Sequence, residues 1–177
     1  MFIEAIEFPF LARLQNEWLV IRDELVALRE AYWKEWPERD IYDGDWKVFG
    51  LYIFGKKNLE FCDLCPRTTE IIEEIPGMVT AGFSSMAANT HITPHRGYTS
   101  EVLRCHLGLL TPDHCALRVS TEVRTWTPGS CFVFDDTQEH EAWNRSNATR
   151  IVLLLDFKRD ESASVIFPEE VFAYDLN

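Results

Sequence analysis

Three histidines and two arginines between residues 91 and 150 are the side chains of this sequence that could carry out chemistry. His95, His106, His140, Arg104 and Arg150 stand at the ends of short apolar runs. Neutral imidazoles are ligands for Fe(II), Zn(II) and Cu(II), and a guanidinium binds a carboxylate through paired hydrogen bonds. The pattern therefore indicates metal ligands and anion-binding arginines that face the protein interior.

The run EVLRCHLGLL fixes the direction of two of these side chains. Successive side chains of a strand point to opposite faces, so Arg104 and His106 share one face while Cys105 and Leu107 share the other. Arg150 opens IVLLLD, a run that is apolar on both faces and therefore typical of a central strand. A guanidinium that points inward from such a strand must meet a carboxylate.

Each of these residues also has an ordinary explanation. A single histidine is more often packed or exposed than bound to a metal, and Arg150 could be an edge residue paired with a surface acid. The spacing leaves both explanations open. The argument for a site depends on the joint placement of the histidines and the arginines.

Short strands separated by turns must position these residues. From residue 78 onwards the sequence has no helical period, and turn sequences such as TPDH, TPGS and NRSNA separate seven or eight apolar runs. This pattern indicates a β-sandwich or β-barrel, and the jelly roll is the form that most often carries a metal inside. We find no internal repeat and no linker, so residues 1–177 are predicted to form a single domain.

An amphipathic helix is predicted ahead of the strands. Apolar residues recur at spacings of three and four over about residues 9–33, namely Leu11, Leu14, Trp18, Ile21, Leu25 and Leu28. We interpret the segment as one helix that covers a sheet, although a helix that dimerises would give the same pattern. The oligomeric state therefore stays open.

Composition excludes several partners. The chain of 177 residues carries a formal net charge of -12, which would repel nucleic acid and anionic membranes. The first residues show no basic stretch followed by a long apolar run, and no segment has 18 consecutive apolar residues, so a cytoplasmic location is expected. The five cysteines are then expected to be thiols, and the lone pair Cys62 and Cys65 gives only weak support to a zinc site.

Several motifs together resemble the aspartyl/asparaginyl β-hydroxylase family. They are CDLCPRTTEIIEEIPG, H-x-x-P-H-x-G, LRCHLGL, F-D-D-x-x-E-H-E and TRIVLLLDF, over roughly residues 46–160. The resemblance implies a mostly β fold, a double-stranded β-helix of the jelly-roll or cupin-like kind behind the covering helix. It also implies an Fe(II)- and 2-oxoglutarate-dependent dioxygenase. Such an enzyme uses O2 to hydroxylate an unactivated C–H, here the β-carbon of an amino acid or of an aspartyl/asparaginyl residue, and forms succinate and CO2.

Carried over residue by residue, the resemblance makes His95 and His140 the iron ligands. Most 2-oxoglutarate oxygenases place a carboxylate two residues after the first histidine, where this sequence has Gly97, as the β-hydroxylases do. Asp135 and Asp136 could replace that carboxylate. We favour the interpretation that they order the turn before His140.

The resemblance assigns the cosubstrate to the arginines. Arg150 with Ser84 is expected to bind the distal carboxylate of 2-oxoglutarate, while His106 and Arg104 lie near its inner carboxylate and the substrate. Animal members that act on aspartyl residues carry a second arginine where this sequence has Val102. The family name therefore does not fix the substrate.

The substrate and reaction type retain alternatives. A small-molecule amino acid, a peptide or a protein could be the substrate, with Arg96 and Arg124 as further candidate anchors that have no motif support. A non-catalytic cupin-like module that binds a metal or small anion is the main alternative, and a metal-dependent isomerase is another. Halogenation also stays open, because Gly97 leaves room for chloride at the iron.

Overall fold

The computed structural model describes residues 1–167 as helices packed on one of two facing β-sheets. The end of the predicted single domain, residues 168–177, lies outside the described residues. In chain order the strands are β1 (Phe2–Ile3), β2 (Lys34–Glu35), β3 (Tyr42–Asp43), β4 (Trp46–Ile53), β5 (Lys56–Lys57), β6 (Met78–Met86), β7 (His91–His95), β8 (Val102–Leu110), β9 (Cys115–Val119), β10 (Glu122–Arg124), β11 (Cys131–Phe134), β12 (His140–Asn144) and β13 (Arg150–Lys158).

The strands form two antiparallel sheets. The larger has the order β1-β11-β8-β13-β6-β4-β2, with β5 paired to β4, and the smaller has the order β10-β9-β12-β7-β3. Neighbours in each sheet are mostly distant in sequence, as the double-stranded β-helix requires. The predicted mostly β, jelly-roll fold is thus confirmed, and β13 is central as the sequence predicted, lying between β8 and β6.

Alternation along the strands of the larger sheet creates two cores. One face of β13 sends Leu153 and Leu155 to the helices, and the opposite face sends Val152 towards the smaller sheet. The helix-side core includes Phe49, Phe83 and other aromatic and aliphatic residues that are fully buried. The second core, between the sheets, contains the predicted site.

The covering helix is in the predicted place, but its predicted extent of 9–33 is wrong. A 3-10 turn at Pro9–Leu11 leads into α1 (Ala12–Asn16) and α2 (Trp18–Val26), which are separated at Glu17. At Glu17 the backbone departs from the α-helical conformation, with φ -104° and ψ 16°. The apolar stripe nevertheless continues across this break, because Leu14 and Ile21 are both fully buried. The spacing of the apolar residues therefore could not reveal the break at Glu17.

The chain beyond α2 turns back for a packing reason. A 3-10 turn at Glu30–Tyr32 follows, and it places Tyr32 and Trp33 against the ring of Phe49. The buried aromatic contacts favour this turn over further helix. The strand core also begins earlier than the predicted residue 46, since β1, β2 and β3 precede it.

Two short helices complete the helical layer, α3 (Leu59–Leu64) and α4 (Pro66–Glu73). Cys62 and Cys65 lie within and after α3 as buried free thiols, and burial raises the pKa of Cys65 to about 12. Inert thiols in the core, rather than zinc ligands, fit this environment. No helix within residues 1–167 has the length and apolarity that crossing a membrane requires.

The two leucines of α2 test whether the helix is attached through its apolar stripe. Leu25 is 3% exposed, whereas Leu19 is 47% exposed. We expect Leu25→Ala to lower the free energy of unfolding by about 2–5 kcal/mol, because it removes buried methyl groups and leaves a cavity. Leu19→Ala should change it by less than about 0.5 kcal/mol. Denaturant unfolding of both variants measures the difference, and equal effects would contradict this packing.

Candidate active site

The two predicted iron ligands lie side by side on the smaller sheet. His95 ends β7 and His140 begins β12, and the two residues are paired directly in the register of these strands. Their ring centroids are 4.2 Å apart. Two imidazoles from segments far apart in sequence are therefore close enough to share one ion.

Backbone carbonyls orient both rings. The Nδ1 of His95 lies 2.7 Å from the carbonyl of Thr93, and the Nδ1 of His140 lies 2.9 Å from that of Gln138. A carbonyl can only accept, so each Nδ1 carries the proton and each Nε2 keeps its lone pair. A hydrogen bond from the second ring nitrogen to a carbonyl is the usual support of a metal-binding histidine.

Burial keeps both imidazoles neutral. It lowers the pKa of His95, despite the hydrogen bond to Thr93, and together with the neighbouring His95 it lowers the pKa of His140 to about 3. The protonated form, which could not bind a metal, is thus disfavoured at neutral pH. The pair presents two neutral nitrogen donors.

The carboxylate of Asp136 occupies the place where a third ligand would be anchored. A Cβ built on Gly97 would overlap this carboxylate, and the amide of Gly97 donates to the carbonyl of Asp136 over 2.8 Å. Residue 97 therefore cannot carry an aspartate side chain in this packing. Among residues 1–167 no group of three or more His, Cys, Asp or Glu is arranged to hold a metal, so this part of the chain offers the histidine pair alone.

The larger sheet contributes a guanidinium that has no ionic partner within residues 1–167. Arg150 is 1% exposed and donates from Nη1 to the carbonyl of Ser84 over 3.2 Å, but its Nε has no partner within residues 1–167. Its guanidinium stacks 4.6 Å from the ring centroid of Trp126. Burial without a carboxylate lowers the pKa of Arg150 to about 9. The carboxylate predicted to meet this guanidinium is absent from the described chain, so the site is suited to an anion from outside.

His106 has the opposite tautomer from the histidine pair. The indole Nε1 of Trp126 donates to Nδ1 of His106 over 3.3 Å, so the proton of His106 is on Nε2. That Nε2 is buried and has no partner among the described residues. Burial, with the nearby guanidinium of Arg150, holds the pKa of His106 well below its usual range. His106 thus presents a neutral N–H donor that has no acceptor within residues 1–167.

Ser84 and Trp46 form a further polar contact near Arg150. The indole Nε1 of Trp46 donates to Oγ of Ser84 over 3.0 Å. The hydroxyl of Ser84 thereby accepts one hydrogen bond and keeps its own proton to donate. This geometry is compatible with a carboxylate held by Arg150 and Ser84 together.

Arg104 is already paired with two carboxylates. Its Nε and Nη2 donate to the two oxygens of Asp156 over 2.8 and 2.9 Å, and its Nη1 lies 3.2 Å from Asp136. Burial opposes its charge, but the two acids outweigh burial and raise the pKa of Arg104. Burial also raises the pKa of Asp136 to about 6. Arg104 is therefore near the site as predicted, but it is not a free guanidinium.

One small cavity between the sheets is lined by all the predicted site residues. They are Ser84, His95, Arg104, His106, His140 and Arg150. A wider groove adjoins it, because the two spaces share the side chains of Trp46, His95 and Leu154. The cavity thus brings two neutral nitrogen donors and a buried guanidinium to one place.

Other predicted residues lie in different environments. Asp135 orders the turn before His140, as predicted, because it accepts from the amide and hydroxyl of Thr137. Asp136 is 3% exposed and pairs with Arg104, so it attaches the same turn to the larger sheet.

The two candidate anchors without motif support also differ from each other. Arg96 lines the groove and donates to the carbonyl of Thr137. Arg124 pairs with Glu4 and Glu122 and lines neither the groove nor the cavity. It is therefore not part of the site.

Sequence reasoning missed two residues that shape the site. Asp156 follows Arg150 on the same face of β13, so the alternation that orients the arginine could also have found it. Trp126, which supports both Arg150 and His106, lies between strands and gave no periodic signal.

Comparison with known proteins is consistent with this geometry. The family model described as Aspartyl/Asparaginyl beta-hydroxylase matches residues 15–160. The chain belongs to the aspartyl/asparaginyl β-hydroxylase family. Within that family it is 39% identical over 161 residues to the ornithine lipid ester-linked acyl 2-hydroxylase of Rhizobium tropici, covering 85% of this chain. It is 35% identical over 154 residues to human aspartyl/asparaginyl beta-hydroxylase, covering 81% of this chain.

The chain spans 57% of the first of these relatives and 20% of the second. Among solved structures, a Pseudomonas putida prolyl-4-hydroxylase is similar with a TM-score of 0.55 and 15% identity. That match covers 85% of this chain and 99% of the other, and at this identity it bears on the fold. The chain thus shares its overall fold with that structure.

Substitution of His95, with substitution of His91 on the same strand as a control, tests whether His95 and His140 bind a metal. We expect His95→Ala to lower the affinity for Co(II) by at least about tenfold, because one of two nitrogen donors is lost. His91→Ala is the matched control, since His91 is on the same strand but is paired with Glu141 at the surface. Titration followed by Co(II) absorption measures both. Equal affinities of the two variants would contradict a site at His95 and His140.

Proposed function

We propose that this protein is an Fe(II)- and 2-oxoglutarate-dependent dioxygenase that hydroxylates an unactivated C–H bond. The observation that carries the proposal is the meeting, in one cavity, of two lone-pair nitrogens with the unpaired buried donors of His106 and Arg150. A metal would bind the two lone-pair nitrogens, and an anion would accept hydrogen bonds from His106 and Arg150. A 2-oxo acid bound to iron would satisfy both at once.

In this proposal His95 and His140 hold Fe(II). Arg150 and the hydroxyl of Ser84 bind the distal carboxylate of 2-oxoglutarate, and His106 donates from Nε2 to the carboxylate near the metal. The orphaned N–H groups fit this cosubstrate because each would gain the acceptor that it lacks. Such charge-assisted bonds are stronger than neutral ones.

The bound metal and cosubstrate supply the oxidative chemistry, in which one oxygen atom of O2 enters succinate, with loss of CO2, and the other enters the substrate C–H as a hydroxyl. The chain contributes position and a dry environment. Phe134 and Leu154 line the cavity beside the histidines and exclude water from it. The carbonyls of Thr93 and Gln138 prevent rotation of the histidine rings.

The protein supplies little negative charge at the metal. Two of the carboxylates that line the adjoining groove, Asp136 and Asp156, are both bound to Arg104. Two neutral histidines would leave Fe(II) with its full charge, which the dianionic cosubstrate can neutralise. The arrangement thus favours binding of metal and 2-oxoglutarate together.

The substrate of the proposed reaction is an amino acid or an aspartyl/asparaginyl residue, as the family name suggests. The two relatives described above differ in this respect, since one is named for an acyl chain and the other for amino acid residues. The chemistry of the cavity is compatible with both. Mass spectrometry of amino acids, peptides and lipids after incubation with Fe(II), 2-oxoglutarate and the enzyme would identify the substrate by the gain of one oxygen.

Turnover of the cosubstrate tests the proposal directly. We expect succinate to form only when Fe(II), 2-oxoglutarate and O2 are all present, with a slow rate even before a substrate is found. Metal binding without O2 consumption would instead indicate a non-catalytic cupin-like module. Activity that persists without O2 would indicate an isomerase.

Arg150 provides the test of cosubstrate binding. We expect Arg150→Met to weaken 2-oxoglutarate binding by roughly 10- to 100-fold, the equivalent of a lost charged hydrogen bond of about 1.5–3 kcal/mol. Arg145→Met is the control, because Arg145 lies exposed over Trp143 outside the cavity. Calorimetric titration with Mn(II) present measures the affinities, and thermal unfolding verifies that both variants fold. An unchanged affinity in Arg150→Met would reject this carboxylate site.

A further inference from the structure

The groove beside the cavity follows β4 outwards from the histidine pair. Trp46, at the start of β4, lines both the groove and the inner cavity, whereas Ile53 and Phe54, at its other end, line the groove but not the cavity. A strand rises about 3.3 Å per residue, so these two ends lie roughly 25 Å apart. The groove thus has an inner end beside the histidine pair and an outer end at the turn between β4 and β5.

The chain that follows β13 crosses to this outer end. The amide of Arg159 donates to the carbonyl of Glu101 over 2.9 Å, and the amide of Ile166 donates to the carboxylate of Glu101 over 3.1 Å. The ring centroid of Phe167 then lies 4.5 Å from that of Phe54. The last described residue is therefore held at the outer end of the groove.

The segment of residues 159–167 is attached at the surface of the protein. Residues 159–162 are all exposed, and Ile166 is 77% exposed. The segment therefore belongs to neither core. Its contacts with Glu101 and Phe54 direct the residues that follow towards the groove.

Residues 168–177 have a composition that suits this groove. Bulky apolar side chains alternate at Phe172, Tyr174 and Leu176, so an extended segment would present them on one face. The groove offers apolar surface to such a face. Its apolar lining residues include Trp36, Val48, Ile53 and Leu154.

The length and charge of the same residues are compatible with entry from the outer end. Ten extended residues span at most about 33–36 Å, which is enough to reach the inner end of the groove. Glu169 and Glu170 come soon after Phe167 and would lie near β5 (Lys56–Lys57), whose charge is of the opposite sign. Asp175 stands between Tyr174 and Leu176 in the alternation, and so on the opposite face.

We propose that residues 168–177 fold back from Phe167 into the groove and compete there with the molecule that the groove accepts. The competition with a substrate rests on the proposed oxygenase function, but the docking does not. A segment of the same chain is favoured over a separate partner, because the residue before it is already held at the outer end of the groove. Such a tether gives an effective concentration in the millimolar range, so a weak affinity is enough to occupy the groove.

Calorimetric titration with a peptide of residues 166–177 tests the docking on the metal-free chain of residues 1–177. Phe172→Asp should release the segment, because burying a charge against apolar walls is unfavourable. We expect the peptide to bind this variant at least about tenfold more tightly than the parent chain, whose own segment competes with it. A peptide that itself carries Phe172→Asp should bind neither chain.

Ala173→Asp is the matched control. It adds the same charge at the adjacent position, on the opposite face of the alternation. The peptide should therefore bind this variant as weakly as it binds the parent chain. Thermal unfolding of both variants verifies that their folds are intact.

The accessibility of Trp36 gives a second measurement. Trp36 lines the groove and is half-buried. Acrylamide should quench the tryptophan fluorescence of Phe172→Asp more strongly than that of the parent chain. The difference should disappear when Trp36→Phe is introduced into both chains.

The outcomes separate this proposal from its alternatives. Equal peptide affinities of the parent chain and Phe172→Asp would overturn the docking, as would the lack of saturable binding to Phe172→Asp below about 1 mM or equal effects of the two aspartate variants. A dimer that sedimentation detects in the parent chain and not in Phe172→Asp would overturn it in favour of docking onto a second copy. Because no metal or 2-oxoglutarate is present, a failure to form succinate would reject the oxygenase and leave the docking result intact.

Discussion

The buried guanidinium of Arg150 is the constraint on which the site depends. Removing an arginine from water costs on the order of several kcal/mol unless a partner compensates, and within residues 1–167 this arginine has no carboxylate partner. It is instead supported by the face of Trp126 and the carbonyl of Ser84. A central strand of a sandwich keeps such a charge in place, so the fold maintains a buried guanidinium that an anion could compensate.

Arg104, on the same face of the larger sheet, differs from Arg150 in having carboxylate partners. Arg104 is held by two acids, one from the adjacent β13 and one from the turn before β12. Its charge is therefore internally compensated and serves to fix Asp136 over Gly97. Two arginines that look equivalent in the sequence thus have different surroundings: Arg150 has no carboxylate partner within residues 1–167, and Arg104 links the larger sheet to the turn before β12.

The sequence revealed the strand pattern, the inward faces of Arg104 and His106 and the central place of Arg150, because these depend on local alternation. It could not reveal the break at Glu17, since the apolar stripe continues through it. The proximity of His95 and His140 follows from the register of β7 and β12, which no local pattern contains. The family resemblance anticipated it. The buried contact between Asp136 and Arg104 likewise depends on packing across the sheets.

The proton positions of the three histidines explain how one cavity can serve both a metal and an anion. Carbonyl partners of His95 and His140 force their protons outward and leave lone pairs towards the cavity, whereas the indole of Trp126 forces the proton of His106 inward. Exchange of these partners would reverse the chemistry even with the same three imidazoles. The supporting groups, and not the histidines alone, therefore determine which residues can bind a cation and which can donate to an anion.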